Sequence, residues 1–315
     1  MAVSHATLPQ PKAAARLTIV LAFASVYIFW GSTYTAISIA TAHMPAFALA
    51  GIRFTISGVL LLAWCRVRGL KLLWPPKTML VFAAAGLLLL ACGNAGLVYA
   101  EKLVPSGLSS LVYAVIPLYV ALIEMFLPHG EALPRRGWVG VILGFAGLVL
   151  LVWPSMHSAL AGDRGLLWAY AALFGGAFSW TIGSLVTRHA KVAANSFVAA
   201  SWQMLIAGVF CLLAGTALGE WSRIDMTPAV AGSLAYLVVC GSLLGYTSFI
   251  YLLEHLPAAK VLSYAYVNPV VAVLLGIVLL GERPAPAEFA GMAAIVLAVF
   301  LLTTAKMRSR NAPRE

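Results

Sequence analysis

Ten apolar stretches, each about 20 residues long and nearly free of charged residues, follow one another along this chain of 315 residues. A helix of that length crosses the roughly 30 Å hydrocarbon core of a bilayer. Hydrophobic residues make up 62% of the sequence and charged residues 10%, so a water-soluble globule would leave too much apolar surface in water. The sequence therefore predicts an all-α, polytopic membrane protein.

The predicted helices are joined by short connections rich in turn-forming residues, which leaves no room for a soluble domain. We predict ten transmembrane helices, at residues 17–39, 47–65, 79–99, 106–127, 137–153, 166–187, 196–218, 229–253, 258–280 and 287–304. The domain boundaries that we predict are an N-terminal tail at 1–16, a first half at 17–153, a linker at 154–165, a second half at 166–304 and a basic tail at 305–315.

Positive charge is distributed unevenly between the two sides of this predicted topology. Ten crossings place both termini on one side, and fifteen of the twenty Lys and Arg residues fall on that side. Four fall on the other side, and Arg53 lies inside a predicted helix. Because basic loops stay in the cytoplasm, we predict cytoplasmic N and C termini. This topology also accounts for the formal net charge of +10 without a nucleic-acid partner.

The two halves repeat each other at offsets of 150 to 152 residues. The corresponding pairs are Trp30 and Trp180, Arg53 and Gln203, Gly58 and Gly208, Tyr99 and Tyr251, Pro105 and Pro257, and Pro117 and Pro269. Each half holds five predicted helices, so the second half enters the membrane from the opposite side. Inverted repeats of this kind place a shared site near the bilayer midplane, where alternating access operates. The repeat therefore favours a transporter.

Several motifs in this order resemble the EamA-type family of the drug/metabolite transporter superfamily, and its YedA-type branch in particular. The motifs are IFWGSTY at 28–34, GIRF at 51–54, ACGN at 91–94, AE at 100–101, VPSG at 104–107 and SYAYVNP at 263–269, with a Gly-Glu pair at 130–131 and at 281–282. The similarity covers residues 17–305, and the two halves are then two EamA repeats of five helices each, TM1–TM5 and TM6–TM10.

The resemblance implies a multi-pass protein of the bacterial inner membrane that exports amino acids, related small metabolites or drugs. It also implies a cavity lined mainly by the first, third, fourth, sixth, eighth and ninth helices. The two repeats differ at two pairs of corresponding positions. Ile116-Pro117 corresponds to Asn268-Pro269, and Glu124 corresponds to Gly276. We therefore expect an asymmetric site.

Polar and aromatic residues inside the predicted helices are the candidates for substrate contact. They are Tyr264, Asn268, Lys260, Asn94, Tyr246, Trp30, Trp180, Tyr34 and Tyr113. Asn94 and Tyr246 are repeat counterparts that each follow a glycine, so they bond either the substrate or a neighbouring helix. Trp30 and Trp180 also correspond, and they either stack on an apolar substrate or pack in the protein.

The ninth predicted helix carries a polar stripe at successive spacings of four, formed by Lys260, Tyr264 and Asn268. These side chains share one face of a helix and run from the cytoplasmic mouth towards the midplane. The stripe admits a carboxylate-bearing substrate, or else Lys260 reaches lipid phosphates while the other two bond neighbouring helices. Both interpretations stay open.

Pro117 and Pro269 each remove a helical hydrogen bond, and we expect both to kink their helices beside the cavity. The alternative is an ordinary packing kink. Arg53 is a charge inside a helix and Gln203 is its counterpart, which favours a shared structural role in tying helices together over substrate binding.

Two carboxylates lie near predicted helix ends. Glu124 is a possible proton carrier, although a position at the headgroup region explains it as well. Glu101 follows Asn94 by two helical turns and either extends a polar path outward or is a solvated carboxylate paired with Lys102; the pattern favours the latter. The Gly-Glu pairs at 130–131 and 281–282 indicate helix caps and turns.

Other functional classes fit the sequence less well. No Walker-type phosphate loop is present, and the six histidines lie in tails, in loops or at helix ends, which disfavours an intramembrane enzyme. The four cysteines lie far apart inside apolar runs, so we interpret them as packing residues and predict no metal or cofactor site and no catalytic residue. A lipid translocase remains the alternative, and a membrane scaffold would not need paired kinked helices.

The first prediction concerns topology. Reporter fusions after Ala42 and after Arg68 should place these positions in the periplasm and in the cytoplasm, respectively, because the fifteen-to-four distribution of basic residues orients the chain. Alkaline phosphatase and fluorescent-protein activities of the two fusions measure this. The opposite pattern would contradict both the helix count and the orientation.

Overall fold

The computed structural model describes residues 13–126, 131–132, 134–160, 163–190, 192–256, 261–262, 264–304 and 308–309. The helical segments are α1 (Ala13–Ser25, Val26–Trp30 and Gly31–Thr41), α2 (Ala46–Val67), α3 (Pro76–Gly86, Leu87–Asn94 and Ala95–Ala100), α4 (Ser106–Tyr113 and Ile116–Glu124), α5 (Arg135–Leu160), α6 (Arg164–His189), α7 (Ser196–Ala217), α8 (Pro228–Tyr236, Leu237–Tyr246 and Thr247–His255), α9 (Tyr264–Leu280) and α10 (Pro286–Thr304). A 3-10 turn spans Trp221–Arg223, and β1 (Glu131–Ala132) pairs antiparallel with β2 (Arg308–Ser309).

The protein is an all-helical, multi-pass membrane protein apart from that two-residue strand pair. Seven described helices, which are α1 to α4 and α6 to α8, are long and apolar enough to cross a membrane. Two shorter apolar helices, Val267–Leu280 and Phe289–Ala298, lie within α9 and α10. Ten crossings therefore remain a prediction.

Several helix boundaries differ from those expected. α1 begins at Ala13, inside the predicted tail, and α3 begins at Pro76 because that proline occupies a first-turn position where its missing N–H costs nothing. α5 continues past residue 153 to Leu160, into the predicted linker, even though Pro154 lies within it. The predicted start of the ninth helix, residues 258–260, lies outside the described residues.

The two halves pack against each other through pairs of helices that correspond in the repeat. α2 packs along α7 and α5 packs along α10, and both are pairs of repeat counterparts. α3 packs on α6 as α8 packs on α1, while α9 contacts both α1 and α4. The core therefore lies between the halves, and the most extensive helix contacts join residues of one half to residues of the other.

Two glycines allow α2 and α7 to approach at backbone distance. A Cβ atom on Gly58 would lie 2.6 Å from the backbone nitrogen of Leu205, and one on Gly208 would meet the backbone of Thr55. Small residues of this kind permit close helix packing in membranes. Gly58 and Gly208 are repeat counterparts, so the crossing is built from the same residue on both sides.

Three stretches within the membrane-spanning helices are π-helical rather than α-helical. They are Val26–Trp30 in α1, Leu87–Asn94 in α3 and Leu237–Tyr246 in α8. The latter two are repeat counterparts, whereas α6, the counterpart of α1, is α-helical along its whole length. π-helical turns leave carbonyls without their usual helical partners and often mark functional sites.

Carboxylates of the second half cap helices of the first half. Glu282 Oε1 accepts hydrogen bonds from the backbone N–H and the hydroxyl of Ser106, both at 2.7 Å, and so caps the start of α4. Glu220 Oε2 accepts from the backbone N–H of Ala48 at 2.7 Å, near the start of α2. Free N–H groups at helix N-termini favour such anions. The Gly-Glu pair at 281–282 was predicted to cap a helix end. Glu282 does cap a helix, but that helix is α4 and not α9, which precedes the pair.

The second prediction tests the crossing of α2 and α7. Gly58→Ala should lower the free energy of unfolding by about 1–3 kcal/mol, because its methyl group overlaps backbone atoms that cannot move aside. Thermal denaturation in detergent measures the change. Gly175→Ala in α6 is the matched control, since no atom lies within 4 Å of its added Cβ. Equal stability of the two variants would contradict close packing at the crossing.

Candidate functional site

An internal cavity of about 50 Å³ lies where α1, α2, α3, α4, α6, α8 and α9 meet. Its lining residues are Trp30, Thr33, Tyr34, Arg53, Phe54, Leu90, Asn94, Leu97, Tyr113, Ile116, Trp180, Gly241, Tyr246, Tyr264 and Asn268. Six of the seven lining helices are those that the family resemblance implies, and α2 is the addition. Eight of the nine candidate substrate-contact residues line this cavity, and Lys260 lies outside the described residues.

The π-helical stretches hold the cavity wall together through their carbonyl groups. Trp30 Nε1–H donates to the Gly241 carbonyl at 3.0 Å, and Tyr113 Oη–H donates to the Gly93 carbonyl at 2.6 Å. Ser179 Oγ–H donates to the Leu88 carbonyl at 2.7 Å. Each bond joins different helices, so carbonyls that the π turns leave available become the anchoring points of the site.

Aromatic rings form one continuous cluster beside the cavity. The Trp30 ring centroid lies 5.4 Å from that of Trp180 and 5.3 Å from that of Tyr264, with both pairs nearly perpendicular. Phe249 packs against all three rings. Trp30 and Trp180 thus pack against each other edge to face, as aromatic pairs favour, and also present ring atoms to the cavity.

Arg53 and Gln203 both bond to the π-helical part of α8. Arg53 Nε–H donates to Ser242 Oγ at 2.9 Å, and Gln203 Oε1 accepts from Tyr246 Oη–H at 2.5 Å. Both side chains thereby tie a helix of the α2–α7 pair to α8. Arg53 is 4% exposed and also lines the cavity, and no carboxylate of the described residues forms an ion pair with it.

Two buried oxygens at the cavity wall, Asn94 Oδ1 and Asn268 Oδ1, have no hydrogen-bond partner within the described residues. Buried polar groups are almost always paired in folded proteins, so unpaired groups need an explanation. The cavity thus combines two unpaired acceptors with the guanidinium of Arg53.

The two prolines behave differently from the symmetrical kinks expected. α4 is interrupted at Ala114 and Val115 and restarts at Ile116, with Pro117 in its first turn. Pro269 instead lies inside the continuous helix α9. The residue before each proline, Ile116 or Asn268, lines the cavity, so the cavity wall is apolar on one side and polar on the other.

The structure also bears on what the sequence predicted for two glutamates and for the cysteines. Glu101 is 5% exposed, so its interpretation as a solvated carboxylate paired with Lys102 is wrong; the helix end turns it into the protein. Glu124 is the last residue of α4, and its side chain lies outside the description. Cys65 and Cys211 are buried, whereas Cys92 is exposed on the outer face of α3 and is not a packing residue.

Sequence reasoning missed several residues of the site. Thr33, Phe54, Leu90, Leu97, Ile116 and Gly241 all line the cavity. Thr33 follows Trp30 by three residues and Leu97 follows Asn94 by three, so one helical turn from a candidate residue was the available signal. No sequence pattern marked Gly241, whose part in the wall depends on the π-helical stretch of α8.

The fold and this central cavity define a helical, multi-pass membrane transporter. The model of the EamA-like transporter family matches residues 17–153 and again residues 167–304, and the chain belongs to that family. The chain is 37% identical over 286 residues to the inner membrane transporter YedA of Escherichia coli K12, covering 90% of this chain and 89% of that protein.

Two other similarities are more distant. The chain is 28% identical to a probable amino-acid metabolite efflux pump of Salmonella typhimurium, covering 88% of this chain and 91% of that protein. A solved protein structure superposes with a TM-score of 0.68 at 23% identity, covering 91% of this chain and 97% of that chain. This last likeness shows the fold.

The third prediction separates the helix-tying role of Arg53 from its charge. Arg53→Ala should lower the free energy of unfolding by about 1–3 kcal/mol, because Ser242 loses its buried partner and the cavity wall loses a side chain. Ser242→Ala should lower it as well, since the buried guanidinium then loses its hydrogen-bond acceptor. Thermal denaturation of both purified variants in detergent measures this. An Arg53→Ala variant as stable as wild type would refute the tying role.

Proposed function

We propose that this protein is a secondary transporter of the bacterial inner membrane that exports amino acids, related small metabolites or drugs by alternating access. Its ten crossings form two inverted five-helix repeats, and both termini lie in the cytoplasm. The observation that carries the proposal is the cavity between the two halves, which is lined by an arginine, by two asparagines with unpaired oxygens and by aromatic rings.

The repeat architecture is supported by features at corresponding positions in the two halves. Gly69 and Gly219, which are 150 residues apart, both have positive φ, at 71° and 62°, and both follow the helices of the α2–α7 pair. The family model matches each half separately. Exchanging the two halves turns the α2–α7 pair and the α5–α10 pair each into itself. This is expected for inverted repeats related by an axis in the membrane plane.

The chemistry of the cavity favours a substrate with both a carboxylate and an amino group. Arg53 has no carboxylate partner in the described part of the chain, so a substrate carboxylate provides its counter-charge. The unpaired oxygens of Asn94 and Asn268 accept hydrogen bonds from a substrate amine. The rings of Trp30 and Tyr264 contact an apolar side chain. This is the pattern of an amino acid or a close relative.

The cavity is closed in this conformation. Its volume of about 50 Å³ holds a few water molecules, far less than the roughly 300–1,000 Å³ of pockets that hold drug-sized ligands. Substrate entry therefore requires the halves to separate at one end. Rocking of the two repeats about the α2–α7 and α5–α10 pairs supplies such a movement.

A lipid translocase is the second candidate, and a groove between α4, α9 and α10 bears on it. The groove has a volume of about 690 Å³, and its lining residues are Leu111, Pro269, Val270, Val273, Leu274, Phe289, Met292, Ala293, Val296, Leu297 and Phe300. All are apolar, so the groove suits acyl chains but offers no group for a polar head. The polar cavity favours a small soluble substrate.

The fourth prediction concerns the substrate carboxylate. In liposomes containing the purified protein, a broad panel of labelled amino acids and drugs identifies a transported compound. Arg53→Gln should weaken its binding by about tenfold to a hundredfold, as expected from a lost charge-assisted hydrogen bond, and should weaken the decarboxylated amine much less. Arg66→Gln, an exposed arginine on the same helix, is the control.

The same assay tests the polar face of α9. Asn268→Ala and Tyr264→Phe should change affinity or substrate preference in folded protein, and Lys260→Gln should weaken carboxylate substrates more than neutral analogues. Unchanged kinetics in all three variants would exclude this face from the pathway. Equal losses for carboxylates and amines in Arg53→Gln would exclude carboxylate recognition by Arg53.

A further inference from the structure

Glu101 is a buried carboxylate that the fold does not use. It directly follows the last residue of α3, Ala100, and only 5% of its surface is exposed. Neither of its carboxylate oxygens has a hydrogen-bond partner within the described residues. Carboxylates buried in proteins are normally paired, hydrogen-bonded or protonated. Glu101 therefore differs from Glu220 and Glu282, whose oxygens accept backbone hydrogen bonds on the same side of the protein.

The groups that face Glu101 offer no positive charge. Tyr34 of α1 and Tyr113 of α4 interact with it, and Glu282 of the turn after α9 adds a second carboxylate nearby. The adjacent Lys102 interacts instead with Glu220 and Arg223. No ion pair to Glu101 exists among the described residues. An ionised Glu101 is thus uncompensated in this conformation, whereas a protonated one needs no counter-charge.

Burial raises the pKa of the Glu101 carboxyl well above its usual range, and Glu282 adds to the effect. Because desolvation is the larger cause, exposure of the carboxyl to water would bring its pKa back towards the usual range.

The second half shows that helix packing does not require a carboxylate here. At the offset of 152 residues that relates Tyr99 to Tyr251, the counterpart of Glu101 is Leu253, which is 3% exposed. An apolar side chain thus fills the equivalent place. The fold therefore shows no structural role for the Glu101 carboxyl group. Its acid–base chemistry is what distinguishes residue 101 from Leu253.

Glu101 also lies beside the cavity. Asn94 and Leu97 line the cavity, and Glu101 follows on the same face of α3, one turn beyond Leu97. Tyr34 and Tyr113 line the cavity as well as facing Glu101. The wall that closes the cavity at the α3–α4 end therefore separates it from this carboxyl group, and an opening there exposes Glu101 to water.

We propose that Glu101 binds a proton when the α3–α4 end of the cavity closes and releases it to water when that end opens, which couples this conformational change to the proton. The inference rests on the alternating-access transport proposed above. Because the closed state binds the proton more tightly, acid shifts the population towards the closed state and alkali shifts it towards the open state. A proton is transferred only between the carboxylate and water, so no other reactant is needed.

Accessibility of the cavity to a thiol reagent tests the coupling without a known substrate. Cys65, Cys92, Cys211 and Cys240 are replaced by alanine, and Thr33→Cys places a thiol in the cavity wall. The full-length protein in liposomes is labelled with a membrane-impermeant maleimide, added at the α3–α4 side or at the opposite side. Labelling rates are measured from about pH 5.5 to about pH 8.5, after correction for the reagent's own pH dependence on an exposed control thiol.

We expect labelling from the α3–α4 side to be about tenfold slower at the acid end of this range, as proton linkage of one group allows. Glu101→Gln mimics the protonated acid and should label slowly at every pH, while Glu101→Asp should retain the pH dependence. Glu220→Gln changes a carboxylate that caps α2 on the same side, and this variant should behave like wild type.

Two results would overturn the proton-binding role. One is a wild-type rate without pH dependence, and the other is a Glu101→Gln variant with the wild-type dependence. If either occurs while the same liposomes transport substrate, then only this inference fails. If the thiol is never labelled from either side and no substrate is transported, then the proposed transport function fails with it.

Discussion

A bilayer offers no hydrogen bonds to a polypeptide, and this constraint organises the whole structure. Every carbonyl and N–H group within the hydrocarbon has to find its partner inside the protein. The helices satisfy most of them, and neighbouring side chains reach those that π turns leave available. Trp30, Tyr113 and Ser179 each donate to such a carbonyl on another helix. The same bonds that complete the backbone therefore also fix how the helices meet.

Some of the exceptions that remain lie at the cavity. Asn94 and Asn268 retain unpaired oxygens there, and the unpaired carboxylate of Glu101 lies one helical turn beyond Leu97 of the lining. Buried polar groups are normally paired, so these are places where another molecule, water or a proton can be bound. The location of the cavity between the halves explains why both repeats contribute to it while neither encloses it alone.

The sequence predicted the apolar helices and named eight candidate residues that line the cavity, because both follow from patterns that repeat along the chain. Length and apolar composition gave the spans, and the repeat offset paired Arg53 with Gln203 and Asn94 with Tyr246. What the sequence could not show depends on the geometry between distant helices. The π-helical stretches have no composition that separates them from α-helix, and the burial of Glu101 is decided by how α1 and α4 close over the end of α3. Pro117 and Pro269 look alike in sequence, yet Pro117 lies in the first turn of the segment Ile116–Glu124, whereas Pro269 lies inside the helix Tyr264–Leu280.

The caps that Glu220 and Glu282 supply have a consequence for how the chain is made. The start of α4 finds its carboxylate 176 residues further along the chain, and the start of α2 finds its own 172 residues further along. At roughly 5–20 residues per second, synthesis takes on the order of ten seconds or more to reach these partners. Throughout that time the first half stands in the membrane with two helix N-termini unpaired. Its final arrangement is therefore completed only as the second half is inserted, because both caps come from that half.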